Sequence, residues 1–314
     1  MVSRNPLKSV IARNLLATFL LLLFLIGCTP ASPTGTSAPS TSAPPPTDAP
    51  TPAPDYVAQI RNAQYQLGLP DSPRLVQLVD GKFEETGPTP ADITSITVMD
   101  HIAHGDLNGD GVDEIAVAVA ENYGGTGVFV FIAVYAEVSE QYVFQTSTLV
   151  DDRPAINSLS IENGEVALDA ITHDSEDPFC CPTLHNARHY RLINNQLQMS
   201  DYVTFTPDGK PRTITIESPA NGSDAYSSVQ VKGSVAISPF ENTLAYRIYD
   251  VGGVELSAGS LMVTAPDLGA PGTFDETILL GGILSGATIR IEIQDISAKD
   301  GSLLAMDSVE LVVK

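Results

Sequence analysis

One segment of nine residues carries the oxygen-bearing side chains that a hard cation prefers. It reads Asp-Leu-Asn-Gly-Asp-Gly-Val-Asp-Glu and is numbered 106–114. Oxygen ligands at the first, third and fifth positions, a Gly at the sixth and a backbone carbonyl at the seventh are typical of a loop that binds calcium. The residues predicted to bind the metal alternate along this loop and are Asp106, Asn108, Asp110, Val112 through its backbone carbonyl, and Glu114.

The loop departs from the EF-hand pattern, in which a bidentate Glu occupies the twelfth position. Here the twelfth residue is Val117, inside an apolar run. The segment resembles instead the shorter calcium loops of FG-GAP and VCBS-type propeller repeats, and this resemblance implies that Glu114 completes the ligand shell. Only one copy occurs in the sequence, so this chain alone does not build a propeller. A turn rich in Asp, Asn and Gly that binds no metal is the alternative.

A second group of reactive residues is the adjacent pair Cys180 and Cys181. In an exported protein, two neighbouring thiols with no other partner favour a vicinal disulfide. A redox-sensing role is one alternative. Another is a zinc site completed by His185 and His189, although structural zinc sites separate paired cysteines by two to four residues. The sequence offers no evident partner for His173.

The sequence predicts no catalytic residue, because it contains no nucleophile elbow, phosphate-binding loop or His-Glu-x-x-His motif. The acidic pairs Asp151-Asp152 and Glu84-Glu85 could be written as an acid and a base, but an acidic surface yields such pairs by chance. The alternative to a binding protein is a hydrolase that acts on wall polymer or glycan, with a site near Cys180 and Cys181.

The N-terminal segment ends in Leu-Ile-Gly-Cys, with Cys28 as its last residue, and begins with a basic stretch. Its apolar run from Leu15 to Ile26 is shorter than the roughly 20 residues that cross a bilayer. We therefore predict a lipoprotein signal peptide at residues 1–27, lipidation of Cys28 and anchoring at the extracytoplasmic face of the cell membrane. An ordinary secretory signal with an incidental Cys28 is the alternative.

Residues 28–54 continue almost entirely in Thr, Pro, Ser and Ala, which predicts a semi-extended tether.

The whole chain of 314 residues has a formal net charge of −22, and such a surface repels phosphate backbones. The expected partners are therefore the membrane, through the lipid anchor, and a protein or polysaccharide of the cell envelope, but not nucleic acid. Calcium is the one expected cofactor.

Residues 55–208 are predicted to form a mostly β (α+β) domain. Turn pairs such as Asn163-Gly164 separate short apolar stretches, and alternation on both sides of this pair predicts a hairpin. The runs Ile115–Val119 and Val128–Tyr135 are more continuously apolar and predict central strands. A short helix is predicted over Tyr56–Leu67.

This region also resembles a recurring, uncharacterised domain of secreted bacterial lipoproteins, which implies a fold but no catalytic roles. The residues that carry the resemblance are Asn62, Tyr65, Leu78, Asp80-Gly81, the stretch 124–127, Asp152-Arg153 and the stretch 177–182.

Residues 212–314 show six evenly spaced strand patterns, which predict an immunoglobulin-like β-sandwich with an aliphatic core, since the region lacks Trp and a cysteine pair. The predicted strands are Thr213–Glu217, Ser228–Val235, Leu244–Asp250, Thr273–Leu280, Thr288–Asp295 and Ser308–Val313.

The same region resembles the immunoglobulin-like domain of bacterial spore germination proteins, which implies an interaction module. The matching residues are Ile216–Pro219, Gly222, Val231–Gly233, Phe240-Glu241, Asp250, Gly272–Phe274, Ser297 and Asp300-Gly301. The sequence as a whole therefore predicts a mainly β, anchored lipoprotein that binds a partner and is not an enzyme.

Overall fold

The computed structural model describes residues 55–69, 72–89 and 92–314. The predicted signal peptide, Cys28 and the tether up to residue 54 lie outside the described residues. Within the described ranges, no helix has both the length and the hydropathy needed to span a bilayer.

The described residues form one α-helix and nineteen β-strands. These are α1 (Tyr56–Arg61), β1 (Gln64–Leu67), β2 (Arg74–Gln77), β3 (Lys82–Thr86), β4 (Ile93–Gly105), β5 (Glu114–Asn122), β6 (Phe129–Val138), β7 (Gln141–Asp152), β8 (Ala155–Glu162), β9 (Glu165–Thr172), β10 (Leu184–Ile193), β11 (Gln196–Thr204), β12 (Ile214–Ser218), β13 (Ser223–Ala225), β14 (Ser228–Val235), β15 (Thr243–Asp250), β16 (Glu255–Met262), β17 (Gly272–Leu279), β18 (Thr288–Ile296) and β19 (Leu303–Val313).

The predicted helix over Tyr56–Leu67 is too long, because α1 ends at Arg61. The Asp55 carboxylate caps its start by accepting a hydrogen bond from the Ala58 N–H at 3.2 Å. The Asn62 side chain donates to the Ala58 carbonyl at 2.9 Å, and the backbone leaves the helical region at Asn62. Residues 64–67 then alternate between exposed and buried positions and pair with β2 as a strand.

Strands β3 to β7 form an antiparallel sheet in chain order, with the predicted strands around Ile115 and Val128 near its centre. Both faces of β5 are buried, which explains its continuous apolar pattern. Ile115 and Val117 face a core closed by α1, β1 and β2, whereas Ala116 and Ala118 face a core closed by β8, β9 and β10. The calcium-type loop lies between β4 and β5, at one end of this sheet.

A sheet of nine strands, counted over the described residues, runs in the order β16-β15-β18-β19-β11-β10-β9-β8, with β13 added parallel to β19. A separate three-stranded sheet, β12-β14-β17, packs on the part formed by β15, β16, β18 and β19. The fully buried residues between them are aliphatic except for Phe274, and the partly buried Tyr246 packs against them. This arrangement confirms the predicted immunoglobulin-like sandwich. The predicted strand Ser308–Val313 begins earlier, at Leu303, and β13 and β16 were not predicted.

The nine-stranded sheet contains strands from both regions predicted from the sequence, which meet at residues 208–212. Three residue pairs of β11 and β19 make this connection: Asp201 with Asp307, Tyr202 with Met306, and Val203 with Ala305. Side chains reinforce it, since Thr204 Oγ1 donates to the Leu304 carbonyl at 2.6 Å and Ser308 Oγ donates to the Ser200 carbonyl at 2.8 Å. We refer to this contact between β11 and β19 as the joint.

Candidate functional sites

Local hydrogen bonds fold the calcium-type loop into successive turns. The Asp106 carboxylate accepts hydrogen bonds from the N–H groups of Gly109 at 2.6 Å and Gly111 at 2.9 Å. Asn108 and Asp110 each accept one from the N–H two residues further on, at 2.8 Å. The hydrogen bonds that the Asp106 carboxylate accepts lower its pKa, and the one from the Gly111 N–H has the largest effect. The loop thus places three oxygen-bearing side chains within one short turn.

Glu114 is the first residue of β5, directly after this turn, and is 2% exposed. Its carboxylate accepts hydrogen bonds from the Leu107 N–H and from the Asn108 side-chain amide, both at 2.8 Å. Burial is the largest cause that raises the pKa of Glu114, and the charges of Asp110 and Asp106 raise it further. The hydrogen bonds from Leu107 and Asn108 oppose this effect. A cation at this point would favour the charged form of all three carboxylates.

The donor set of the loop fits calcium, because carboxylates, an amide oxygen and a backbone carbonyl are the hard ligands that this ion takes. In the described ranges, no three side chains of His, Cys, Asp or Glu are already gathered in a metal-binding geometry. His104 lies beside the loop, but its Nδ1 is 3.1 Å from the Asp113 carboxylate, and Asp113 is not a predicted ligand.

The loop between β9 and β10 contains the adjacent cysteines, and their sulfur atoms are joined in a disulfide. The Asp177 carboxylate holds the base of this loop by accepting hydrogen bonds from the Thr183 N–H at 2.7 Å and the Thr183 hydroxyl at 2.8 Å. Phe179, which precedes Cys180 and Cys181, is 82% exposed. The loop therefore exposes an apolar side chain, Phe179, while hydrogen bonds between Asp177 and Thr183 fix its two ends.

The four residues of the zinc alternative do not form a cluster. His185 Nε2 lies 2.9 Å from the Asp169 carboxylate. His189 Nδ1 lies 3.5 Å from Asp201, and this contact, with burial opposing it, raises the pKa of His189. Each imidazole thus has a carboxylate neighbour, and both sulfurs are taken up by the disulfide.

Three of the four carboxylates considered for hydrolysis take part in ion pairs. Asp151 lies 3.1 Å from His173 Nδ1, which supplies the partner that the sequence did not reveal. Burial alone would lower the pKa of His173, but its hydrogen bond with Asp151 and the charge of Asp151 raise it on balance. Asp152 binds Arg153 at 2.5 Å, and Glu85 binds Arg74 at 2.6 Å.

A feature that sequence reasoning missed is a pair of loops joined through Ser238, which is 6% exposed. Its hydroxyl accepts a hydrogen bond from the Gly269 N–H at 2.7 Å, and its own N–H donates to the Ala270 carbonyl at 2.8 Å. The joined loops lie between β14 and β15 and between β16 and β17. They display Phe240, which is 66% exposed, and Leu268, which is 75% exposed.

A Ser in a loop gives no local signal that its partners lie about thirty positions away. Only the exposed apolar residues around it, Phe240 and Leu268, could have drawn attention to this end of the sandwich. We call the two joined loops, residues 236–242 and 263–271, the Ser238 loop pair.

The comparison with known families agrees with this architecture. The family model described as the immunoglobulin-like domain of bacterial spore germination matches residues 213–302. The match spans β12 to β18, so it establishes an immunoglobulin-like domain at the C-terminal end and confirms the resemblance stated for that region. It covers well under half of the 314 residues. No curated protein matches the chain.

Proposed function

We propose that this protein is a lipid-anchored, extracytoplasmic binding protein whose immunoglobulin-like domain contacts a partner in the cell envelope. The observation that carries the proposal is the Ser238 loop pair. Two loops held together by a buried hydroxyl present Phe240 and Leu268 to solvent. Pre-ordered loops lose little conformational entropy on association, and exposed apolar side chains on such loops serve as anchors in interfaces.

The partner is an envelope protein with an apolar pocket, since the Ser238 loop pair offers apolar anchors. A polysaccharide is the alternative partner. The acidic balance of the domain favours a neutral or basic surface on the partner, because residues 213–314 contain 13 acidic and 5 basic residues.

Photo-crosslinking in intact cells tests this proposal. We expect benzoylphenylalanine in place of Phe240 to form an adduct with one defined envelope protein. The change Leu268→Ser should abolish this adduct. The matched control is Leu284→Ser, which alters a side chain that is 80% exposed in the loop at the opposite end of β15. An adduct that survives Leu268→Ser, or that Leu284→Ser removes equally, argues against the Ser238 loop pair as the binding surface.

In the same proposal, lipidated Cys28 holds the folded region at the membrane, and calcium bound by Asp106, Asn108, Asp110, Val112 and Glu114 stabilises the first β region. The bound ion would supply positive charge to the carboxylates of Asp106, Asp110 and Glu114. The hydrogen bonds that fold Asp106, Asn108 and Asp110 into one short turn support this assignment, and Glu114 is held at the end of the loop by the Leu107 N–H.

A further inference from the structure

The outer edge of the nine-stranded sheet is formed by β16. This strand pairs with β15 on one side, and no described strand pairs with its other side. Its regular part begins after a bulge at Leu256 and ends where Thr264 pairs with Thr273 of β17. The Val263 N–H donates to the Asn242 carbonyl, so alternate residues face β15, and the backbone groups of Ala258, Ser260 and Met262, within the stretch 257–263 centred on Ser260, point outward. These groups are therefore free to form hydrogen bonds with another strand.

This free edge lacks the usual protection against pairing. Edge strands of soluble proteins commonly carry charged residues or Pro. The edge strand β17 of the smaller sheet follows this rule with Asp275 and Glu276, and β3 follows it with Lys82. Residues 257–263 of β16 read Ser-Ala-Gly-Ser-Leu-Met-Val and contain neither a charge nor Pro.

The two ends of the edge differ in side-chain size. Ala258, Gly259 and Ser260 come first, and Leu261 and Met262 follow. Alternation along the strand places Leu261, 3% exposed, toward the sandwich core and Met262, 55% exposed, on the outer face.

Gly259 is required at its position in the strand. A Cβ at this position would lie 2.5 Å from the hydroxyl oxygen of Tyr246, whose ring covers Gly259. The middle of the edge therefore has no large side chain that would hinder the approach of another strand.

We propose that β16 pairs antiparallel with β16 of a second copy of this chain, about a two-fold axis at Ser260. In this register Met262 of each copy faces Ala258 of the other on the outer face, and Leu261 faces Gly259 on the core side. Each large side chain thus meets a small one, which follows from the order of sizes along the strand. No like charges face each other, and such charges would oppose pairing.

A second copy fits this edge better than an unrelated strand because the complementarity lies within the sequence of β16 itself. The nearest acidic residue on the strand, Glu255, is neutralised by an ion pair with Arg247. The pairing joins two nine-stranded sheets into one continuous sheet, with the same surface used on both copies.

Sedimentation equilibrium of the full-length chain in a defined detergent tests the proposal. We expect a monomer–dimer equilibrium that Ser260→Lys weakens by about tenfold or more, since two lysines then meet at the axis. An equimolar mixture of Ser260→Lys and Ser260→Glu chains should recover the dimer as a mixed pair. The control is Thr277→Lys, which adds the same charge to an exposed position of β17.

A photo-crosslink gives an independent measurement. Benzoylphenylalanine in place of Met262 should join two chains, and mapping with a mixture of isotopically light and heavy chains should place the adduct near Ala258 of the other copy. A monomer at every concentration, equal weakening by Thr277→Lys, failure of the Ser260→Lys and Ser260→Glu mixture to pair, or an adduct elsewhere would each overturn the proposal.

Discussion

Asp201 and Asp307 lie directly opposite each other in the joint between β11 and β19. The Asp307 carboxylate accepts hydrogen bonds from the Ile216 N–H at 2.6 Å and from the Ser308 N–H at 2.7 Å. Burial, the largest cause, raises the pKa of Asp307 to about 6. The joint therefore contains a carboxyl group that changes its charge close to neutral pH.

This relationship predicts a pH-dependent effect of Asp307→Asn on the free energy of unfolding. A carboxyl with a raised pKa binds its proton more tightly in the folded state, so its stabilising contribution is complete below the unfolded pKa near 4 and is lost as the pH rises through about 6. Because one pKa unit corresponds to about 1.4 kcal/mol, the variant should gain about 2 kcal/mol relative to the unmodified protein between pH 4 and pH 8. Urea denaturation across this range measures the difference.

The control for this experiment is Asp275→Asn. The side-chain hydrogen bond from Lys232, 2.9 Å away, lowers the pKa of Asp275, so its stabilising contribution is present above the unfolded pKa and is lost on acidification. The difference for Asp275→Asn should therefore stay nearly constant from pH 4 to pH 8, because the change linked to this carboxyl falls below the unfolded pKa near 4. A difference for Asp307→Asn that stays constant from pH 4 to pH 8 contradicts the prediction.

A second prediction concerns Gly233, where β14 lies between β12 and β17. A Cβ at Gly233 would lie 2.1 Å from the Thr215 carbonyl oxygen and 2.4 Å from the Phe274 ring. We expect Gly233→Ala to reduce the free energy of unfolding by about 1 to 3 kcal/mol, as overpacking does. Gly281→Ala serves as the control, because no atom lies within 4 Å of the added Cβ there. Thermal unfolding of both variants compares them, and equal melting temperatures would refute this account.

Local patterns predicted the strands whose side chains alternate or are buried on both faces. The hairpin around Asn163-Gly164 is an example, because Val166, Leu168 and Ala170 are buried as the alternation indicates. Strand β16 was missed since Ser, Ala and Gly have no strand preference, and only pairing with β15 makes the segment extended. The joint was missed because its paired residues lie about a hundred positions apart, where periodicity carries no information.

The candidate sites also differ in whether their residues lie close together in the sequence. The calcium-type loop is visible in the sequence because all its proposed ligands fall within nine consecutive residues. The ion pair of His173 with Asp151 and the contacts of Ser238 join distant segments, so they required the folded chain.

A third prediction concerns calcium. At a free concentration a hundred times the dissociation constant, binding to the folded state alone should add about 2.7 kcal/mol to the free energy of unfolding. Asp110→Asn keeps the hydrogen-bond acceptor for the Val112 N–H but removes a ligand charge, so it should reduce this gain. Asp113→Asn is the matched control. Calorimetric titration and melting temperatures provide the measurement, and an unchanged response in Asp110→Asn would exclude Asp110 as a ligand.

A fourth prediction concerns the membrane anchor. Cells fed a clickable fatty acid should yield a labelled protein in the membrane fraction, and Cys28→Ser should lose both the label and the membrane association. The double change Cys180→Ser with Cys181→Ser should retain both, since these two cysteines form a disulfide in the folded region. Label on the Cys28→Ser chain would disprove lipidation at that position.

A fifth prediction concerns the cysteine loop. A disulfide between adjacent residues closes only a minimal ring, so its removal should cost about 1 kcal/mol of stability or less. We expect the double Ser variant to unfold within a few degrees of the unmodified protein. Mass spectrometry of the non-reduced peptide should show the loss of two hydrogens at Cys180 and Cys181. A large drop in melting temperature would indicate a wider structural role for the loop.

The connection between β11 and β19 bears on how the C-terminal region can be transplanted. A fragment excised at residue 212 would strip the neighbouring strand from Ala305, Met306 and Asp307, and uncover their backbone groups. A chimera built from such a fragment would have an unpaired strand edge, which could aggregate and which is covered in the parent chain. Grafts that begin at Gln196 would keep β11 and so leave these three residues of β19 paired.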